Sequence, residues 1–317
     1  MPLPPTSPPV AHGLVDRLRQ ANRAALNVPG ASIAERVMLA VRAALAPRRR
    51  IAVGPAFPNQ YQVILKLASL NGYQLVAPSH PRPDLGLHFT SNELGPHLCT
   101  MPSTLPVINR ECVDISKAHV ASVFEQTFGY GLTVDPTMHE AQIVEKSDSN
   151  ATHDGRILDG PLSPDDIREG YVYQRLVQNV EGDPKSRIAV DYRTPLYAGR
   201  PVFVYVKRRS AGERFSNANA TVEVRETTDV FTSEEIDRLA VFAKRMGLDY
   251  GEVDVLRDRE NDRLYIVDVA NTPAGPPSGL SQVAARAAID ALADALEDVV
   301  RIVVTKPVRR TTAKPTK

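Results

Sequence analysis

Several features are scarce or absent in this sequence, and each absence excludes a class of protein. The 317 residues include two cysteines, Cys99 and Cys112, too few for a disulfide framework or a four-cysteine zinc site. No apolar run approaches the roughly 18 residues of a membrane span. The first nine residues hold five prolines and lack the apolar stretch of a secretory signal. We therefore expect a cytoplasmic protein that does not enter a membrane.

Neither sign of charge is in excess. Lysine and arginine number 38 against 37 for aspartate and glutamate, a formal net charge of +1, so a globally basic nucleic-acid binder is not indicated. Hydrophobic residues make up 43% and charged residues 24%, as in ordinary globular proteins. The exception is segment 305–317, with five basic residues and no acid. We interpret it as a solvated, flexible tail, and the alternative is a basic arm for an anionic partner.

The short motifs of several enzyme classes are also missing. There is no Gly-x4-Gly-Lys, no Gly-x-Gly-x-x-Gly, no His-Glu-x-x-His and no Gly-x-Ser-x-Gly. The seven histidines are scattered, without the spacing of metal ligands. These absences count against a P-loop NTPase, a Rossmann oxidoreductase, a zincin and an α/β-hydrolase.

The spacing of apolar residues predicts a mixed chain, α/β in its first part and α+β in its second. Helices are predicted at 12–45 (with a break at Pro29-Gly30), 61–70, 232–247 and 281–300. Strands are predicted at 51–53, 73–77, 85–89, 141–144, 156–158, 171–177, 186–191, 200–206, 221–224, 252–257 and 263–269. We divide the chain into a proline-rich lead with a helical segment (1–49), a small α/β lobe (50–112), a larger region (113–304) and the tail (305–317).

The last two predicted strands form a hairpin that brings two acids together. Residues 258–262 read as its turn, so folding the chain about residue 261 places Asp254 opposite Asp268. Like charges directly across a ladder are destabilising. A hard divalent cation between them would turn this repulsion into a net attraction. Asn271 just beyond offers an amide oxygen, which Mg²⁺ accepts as a ligand. The alternative is that one acid points to solvent and the pair never meets.

The end of this hairpin resembles the metal-binding end of the ATP-grasp superfamily, which includes D-alanine–D-alanine ligases and the glutamate ligases that modify ribosomal protein. The resemblance is carried by Gly251-Glu-Val-Asp254 and by the acid-ended strand that continues into Asn271-Thr-Pro. It covers about residues 50 to 300. Further segments follow in the expected order: Ile115-Ser-Lys117 before a helix ending at Phe128-Gly129, Val144-Glu-Lys146 with the polar loop 147–155, Tyr173-Gln-Arg-Leu-Val177, Asp191-Tyr-Arg193, and 214–219.

The resemblance implies an ATP-grasp-like fold in which a small N-terminal lobe precedes two lobes that enclose Mg-ATP. It assigns the nucleotide to Lys117, Lys146, His153, Gln174, Arg175, Leu176 and Val177. It assigns the transferring phosphoryl group or the substrate to Arg193 and Lys207. It assigns the metal, Mg²⁺ with Mn²⁺ as an alternative, to Asp254, Asp268 and Asn271.

The residues themselves leave alternatives open at three of these positions. Lys146 also reads as an ordinary surface lysine beside a turn. Arg193 shares a strand face with Asp191 and could pair with it. Lys207 opens a run of three cations that ordinarily forms a solvated face, although its predicted place at a strand end suits a phosphate contact.

Two departures from the superfamily pattern bear on function. The second acid is Asp268 rather than the usual Glu, and Ala270 stands where the pattern has Asn, so that Asn271 comes one place late. The loop expected to cover the phosphates holds a single glycine, Gly155, so its backbone is less permissive than a glycine-rich one.

We expect an ATP-dependent ligase that joins a small-molecule carboxylate to an amine or similar nucleophile through an acylphosphate. The first alternative is a nucleotide-binding or scaffold protein with a decayed ATP-grasp site. The second is an unrelated α/β binding protein whose acids and lysines decorate its surface. Nucleic acid and membrane are not expected partners, and a homo-oligomer is left open.

Overall fold

The computed structural model describes residues 14–90, 97–149, 152, 154–183, 187–216 and 219–305. The proline-rich lead, His153 and nearly all of the basic tail lie outside the described residues. The helices are α1 (Leu14–Leu26), α2 (Ile33–Leu45), α3 (Val63–Leu70), α4 (Lys117–Phe128), α5 (Thr227–Val230), α6 (Ser233–Met246) and α7 (Gln282–Thr305). The strands are β1 (Arg49–Pro55), β2 (Tyr73–Val76), β3 (Leu85–Phe89), β4 (Val107–Ile108), β5 (Gln142–Ser147), β6 (Arg156–Asp159), β7 (Tyr171–Arg175), β8 (Val180–Glu181), β9 (Ile188–Tyr197), β10 (Arg200–Pro201), β11 (Val204–Ser210), β12 (Thr221–Arg225), β13 (Tyr250–Arg257) and β14 (Leu264–Ala270).

The first sheet is parallel and is buried from end to end. Its four strands lie in the order β2-β1-β3-β4. All five residues of β3 are buried, as parallel strands covered on both faces require. Alternate side chains of β3, Leu85, Leu87 and Phe89, join the same core as Leu292 and Leu296 of α7. The last helix of the chain therefore completes the core of its first sheet.

The second sheet is antiparallel and has two different faces. Its main order is β12-β11-β9-β13-β14, and the short strands β8 and β10 also pair with β9. One face is apolar and shares a core with α4 and α6, through residues such as Val204, Val253 and Phe242. The opposite face begins with tyrosines that pack towards α7, Tyr197 and Tyr250 among them, and continues into a row of charged side chains. This polar face is the one that positions the candidate site.

The third sheet is small. Strands β6, β5 and β7 pair antiparallel, with β5 in the centre. On one face Glu145 is fully buried and accepts hydrogen bonds from Arg156 (2.6 Å), Arg168 (2.9 Å) and Tyr173 (2.9 Å). Alternation places Gln142 and Lys146 on the other face, which is turned towards the second sheet.

Helix α6 begins and ends where the sequence pattern predicts. Thr232 and Glu235 form a complete capping box at its start. Gly247 ends it with a positive φ of 65°, and a Cβ there would lie 2.5 Å from the carbonyl carbon of Glu111. Only glycine therefore fits both the backbone conformation and the close approach.

The mixed α/β architecture is confirmed, but several element bounds differ from the prediction. Strand β9 extends from Ile188 to Tyr197 instead of ending near residue 191, because β11 and β13 pair with it on both sides. Helix α7 continues to Thr305 rather than stopping at 300, because Val303 is buried in the first core. Among the helices that the structure describes, none combines the length and apolar character needed to cross a membrane.

Candidate functional site

The hairpin of β13 and β14 has the register that the sequence predicts. Asp254 and Asp268 are direct cross-strand partners, and the register shifts immediately after Asp254. Arg193 of β9 lies opposite Asp254 on its other side. Three neighbouring strands thus place Arg193, Asp254 and Asp268 in one row across the polar face of the second sheet.

Asp254 is held by cations from the two neighbouring strands. Arg193 donates from Nε to Oδ1 at 3.0 Å and from Nη2 to Oδ2 at 3.2 Å, and Nζ of Lys207 lies 4.0 Å from Oδ1. Burial by itself raises the pKa of Asp254, but the charges of Arg193 and Lys207 outweigh it and hold the pKa well below its usual value. Asp254 is therefore an anion whose oxygens are already engaged.

The alternative in which Arg193 pairs with Asp191 is wrong. Asp191 instead forms an ion pair with Nη2 of Arg209 at 2.9 Å, and Asn179 donates to its other oxygen at 3.0 Å. Arg193 lies directly opposite Asp254 on the neighbouring strand, whereas Asp191 lies opposite Lys207 and reaches Arg209 diagonally across β9 and β11.

Asp268 and Asn271 carry side-chain oxygens without a partner. Oδ1 of each is buried and accepts no hydrogen bond from any residue that the structure describes. Burial and the nearby charge of Asp254 raise the pKa of Asp268, while Lys117 and Lys146 act in the opposite direction. Buried acceptors without donors cost free energy, so two of them at one strand end indicate a place where a ligand completes the coordination.

Lys117 and Lys146 approach Asp268 from α4 and β5. Lys117 is the first residue of α4, is buried, and donates to the backbone oxygen of Ser149. Lys146, near the end of β5, donates to the backbone oxygen of Val267 at 3.0 Å, one residue before Asp268. Burial lowers the pKa of Lys146 to about 8. Lys146 is therefore not the ordinary surface lysine of the alternative interpretation.

The position of Lys117 at a helix N-terminus has a local explanation. A cation is unfavourable there because of the helix dipole. The carboxylate of Asp148 offsets it by accepting a hydrogen bond from the backbone N–H of Ala118 at 2.8 Å. The loop after β5 is thereby attached to the start of α4.

Lys207 lies in the middle of β11, not at a strand end as the sequence analysis supposed. Its side chain is buried, unlike that of a solvated charge run, because β9 and β12 flank the strand on both sides. Burial lowers the pKa of Lys207, and the charge of Asp254 acts against this. It completes a group of three cations, with Arg193 and Arg209, on two neighbouring strands.

The segment predicted to meet the adenine base borders a cavity of about 730 Å³ between the third and second sheets. Leu176 lines this cavity, and Gln174 and Val177 are buried beside it. Arg175 is directed elsewhere and donates to the hydroxyl of Tyr265 at 3.0 Å. The cavity is lined by Gln142, Ile157, Leu176, Gln178, Val180, Arg187, Ile188, Ser210, Ala211, Gly212 and Arg214.

One site residue, Glu252, is missing from the sequence prediction, and a second, Arg214, lies in the predicted segment 214–219 but makes a contact that the sequence did not indicate. Glu252 is almost fully buried, Nε of Arg193 lies 3.6 Å from its Oε2, and burial raises its pKa to about 7. The two-residue alternation Glu252-Val-Asp254 places it on the charged face and was the available signal. Arg214 donates to the backbone oxygen of Val177 at 3.1 Å and also contacts Asn179. No local pattern in the sequence points to that contact.

The side chains of the predicted metal site match the needs of a divalent cation only in part. Within the described part of the chain, no cluster of three or more His, Cys, Asp or Glu side chains has metal-binding geometry. The predicted set holds two carboxylates and one amide, and its two unpartnered buried oxygens, of Asp268 and Asn271, suit a hard cation. The set fits Mg²⁺ through these two residues, whereas Asp254 takes part only if Arg193 moves away.

The arrangement is suited to a polyanion. Four cations lie near the two acids: Lys117 and Lys146 act on Asp268, and Arg193 and Lys207 act on Asp254. Such a group can neutralise charge on phosphate oxygens while the acids hold a cation.

Comparison with known proteins supports the fold. No protein-family model matches the chain, and no curated protein sequence matches it significantly. The D-alanine–D-alanine ligase of Bacillus anthracis, solved with ATP, is similar at a TM-score of 0.51 and 15% identity over 80% of this chain and 98% of that chain. The ATP-grasp ligase PsnB, solved with precursor peptide PsnA2 and AMPPNP, is similar at a TM-score of 0.51 and 13% identity over 79% of this chain and 97% of that chain.

Two more structures of PsnB extend the comparison. One, with a minimal precursor, Mg and ADP, matches at a TM-score of 0.50 and 14% identity over 78% of this chain and 96% of that chain. Another, with a phosphomimetic variant of the minimal precursor, is matched over 62% of its length, less than two thirds, at a TM-score of 0.40, 16% identity and 60% of this chain. The three structures matched at a TM-score of 0.50 or above show that the protein has the ATP-grasp fold.

Proposed function

We propose that the protein is a Mg-ATP-dependent ligase that joins a carboxylate to an amine through an acylphosphate. The observation that carries the proposal is the proximity of Lys117 and Lys146 to Asp268, whose Oδ1 is buried without a partner among the described residues, as is Oδ1 of Asn271 three residues further along the chain. Cations that would repel one another and acceptors without donors are both satisfied by one ligand, a metal-bound polyphosphate.

The base and ribose of the nucleotide would occupy the cavity between the third and second sheets. Leu176 and Ile157 offer apolar surface to the base, and Gln178 and Ser210 offer polar groups to the ribose. Because Arg214 donates to the backbone oxygen of Val177, a base that binds this oxygen has to displace the guanidinium. The phosphates would extend towards Lys117 and Lys146.

Asp268 and Asn271 would hold Mg²⁺, joined by Asp254 when Arg193 turns towards phosphate. The metal, when bound, would neutralise charge on the β- and γ-phosphate oxygens. Mn²⁺ has the same ligand preference and is the alternative.

Lys146, Arg193 and Lys207 would stabilise the charge that develops on the transferring phosphoryl group. An oxygen of the substrate carboxylate attacks the γ-phosphorus, the bond to the bridging oxygen breaks, and ADP leaves. The amine then attacks the acyl carbon of the acylphosphate, inorganic phosphate leaves, and the amine nitrogen loses a proton. These residues would position the substrates and neutralise the charge on the phosphoryl group, and the reaction needs no covalent bond to the protein.

The fold likeness supports the proposal at the level of the reaction class. The similar structures are of ligases, in complex with ATP, AMPPNP or ADP and, in one case, Mg. One of these ligases acts with a precursor peptide and the other is a D-alanine ligase, so both a peptide and a small molecule are substrate classes to test. We also propose that the reaction takes place in the cytoplasm, where ATP is available.

A second candidate is a nucleotide-binding protein without phosphoryl transfer. It is favoured by one observation: both carboxylate oxygens of Asp254 are engaged by Arg193. If the pair never opens, the metal is held by Asp268 and Asn271 alone.

Two measurements separate the candidates. Calorimetric titration with a nonhydrolysable ATP analogue, with Mg²⁺ and with EDTA, tests binding and its metal dependence. ADP release with a panel of carboxylates, with hydroxylamine present to trap an acylphosphate as a hydroxamate, tests transfer. Binding without ADP or hydroxamate favours the second candidate, and no binding at millimolar Mg-ATP contradicts both. Lys244→Met, at an exposed lysine of α6, is the control for Lys146→Met, which should weaken binding.

A further inference from the structure

The outer face of α2 carries an apolar surface that the described part of the chain leaves uncovered. Its members are large hydrophobic side chains between 41% and 81% exposed: Leu26 at the end of α1 and Ile33, Val37, Met38, Val41 and Leu45 of α2. We call this surface the α2 stripe. The inner face of the same helix is covered, since Leu39 and Ala40 pack against α1 and Ala43 and Ala44 are buried.

The stripe has the form of a helix-packing ridge. Ile33, Val37, Val41 and Leu45 follow one another at intervals of four residues, which places them in one row along the helix. The nearby charge of Glu35 is turned to its own chain, where Nη2 of Arg286 in α7 donates to it at 2.8 Å. Soluble monomers rarely expose contiguous apolar patches larger than a few hundred Å², so the stripe indicates an interaction surface.

We propose that the α2 stripe is the interface of a homodimer, in which α2 packs antiparallel against α2 of a second copy about a two-fold axis. A ridge of i, i+4 residues is self-complementary, and two such ridges pack at an interaxial angle of about −50°. A two-fold axis uses the same patch on both copies and closes the assembly at two subunits.

The area of the stripe agrees with what a dimer needs. Covering its six side chains removes roughly 600 Å² from each copy, or about 1,200 Å² in total, the lower end of stable interfaces. An interface of this size is expected to form a dimer of micromolar affinity.

A second copy suits the stripe better than a membrane surface does. The stripe is aliphatic, with methionine and no aromatic side chain, whereas helices that lie on membranes commonly add Trp or Phe to Leu on the apolar face and are rich in Lys or Arg on the polar face. In the described structure, the main contacts of α2 are with α1, α3 and β2. The proposed dimer therefore does not depend on the proposed ligase function, and each proposal can be tested without the other.

The test is sedimentation velocity of the full chain from about 1 to 100 μM. We expect the mass to rise from one copy to two across this range. Val37→Glu and Met38→Glu should remain monomeric at the highest concentration, with melting temperatures close to the parent because both sites are exposed and Glu is a good helix former. Val241→Glu, at a valine of α6 that is 46% exposed, is the matched control and should dimerise as the parent does.

A crosslink tests the symmetry. Met38 lies nearest the middle of the stripe, so Met38→Cys should form an oxidised dimer that reducing agent reverses, and Val241→Cys should not. A full chain that stays monomeric at 100 μM overturns the proposal, as do stripe variants that dimerise like the control. The protein could instead float with vesicles of phosphatidylserine and phosphatidylcholine. If Val37→Glu abolishes that flotation, the stripe binds membranes and the dimer proposal is overturned.

Discussion

The guanidinium of Arg193 makes two hydrogen bonds to the carboxylate of Asp254, at 3.0 and 3.2 Å, across β9 and β13. From the sequence we expect a divalent cation to relieve the repulsion between Asp254 and Asp268. In the structure, a cation of the protein itself relieves it on one side. In this part of the described structure, buried oxygens without a partner remain on Glu252, Asp268 and Asn271.

Replacing Arg193 tests the strength of this pair. Arg193→Gln leaves Asp254 with Lys207 alone, at 4.0 Å, so the free energy of unfolding should fall by about 2–3 kcal/mol, less than for a fully buried pair because both side chains are about a quarter exposed. Arg208→Gln is the control: its pair with Glu223 at 2.7 Å is more exposed and should contribute about 1 kcal/mol or less. Urea denaturation measures both, and equal losses would show that the Arg193 pair is an ordinary surface pair.

Asp268→Asn separates a functional from a structural role. It removes one of two facing carboxylates and keeps the shape, so the melting temperature should stay the same or rise, since such like-charge pairs cost about 0.2–1 kcal/mol. ADP formation should fall by ~100-fold, because the variant weakens the metal that neutralises the transferring group. The control is Asp262→Asn in the exposed turn, which should change neither. A destabilised Asp268→Asn variant that turns over ATP at the parent rate would contradict the metal assignment.

Nucleotide affinity should depend on pH through Lys146. Burial lowers the pKa of its ammonium to about 8, so this lysine is charged below pH 8 and loses its charge as the pH rises through that value. A phosphate oxygen needs the charged form, and affinity for Mg-ATP should therefore fall above pH 8, by up to about tenfold per pH unit. Arg stays charged, so Lys146→Arg should remove this dependence. Titration calorimetry from pH 7 to 9.5 measures it, and a flat parent profile would contradict the prediction.

Lys66 of α3 should destabilise the fold at neutral pH. It is buried, makes no ion pair with any residue that the structure describes, and burial lowers its pKa from 10.5 to about 8. Below pH 8 it is charged in both folded and unfolded chains, so the cost of burial is complete there, and it disappears as the pH rises towards 10.5. Lys66→Met should therefore stabilise the protein by roughly 3 kcal/mol at pH 7 and by little near pH 10.5.

The control for this prediction is Lys244→Met on the exposed face of α6, which should change stability little at either pH. Thermal unfolding of both variants at the two pH values makes the comparison. A Lys66→Met variant that is less stable than the parent at pH 7 would show that the ammonium has a stabilising partner.

Local patterns were sufficient for the hairpin and for α6. The predicted pairing of Asp254 with Asp268 is present, and the two-residue alternation of the strands places both on one face; a register shift next to Asp254 separates this pairing from the pairs nearer the turn, which the sequence did not predict. Thr232, Glu235 and Gly247 mark the ends of α6 by chemistry that acts within four residues. Such predictions succeed because the interacting groups are close in the chain.

The partners of the charged groups could not be predicted in this way. Asp191 and Arg193 are neighbours on one strand face, yet Asp191 pairs with Arg209 and Arg193 pairs with Asp254, 61 residues along the chain. The burial of Lys207 was likewise unpredictable, because a run of three cations reads as a solvated face until two strands enclose it.

By itself, therefore, the sequence determined which groups could carry the chemistry: two acids on facing strands, an asparagine beyond them, and lysines at the start of a helix and the end of a strand. The tertiary structure alone decided their hydrogen-bond partners and their pKa values. Packing of β9 between β11 and β13 engages Asp254 with Arg193, while the ends of β5, α4 and β14 meet around Asp268 and Asn271 and leave buried oxygens without donors. The reason is that hydrogen bonds and pKa values depend on distances of a few ångströms between residues far apart in the chain, and only the packed sheets set those distances.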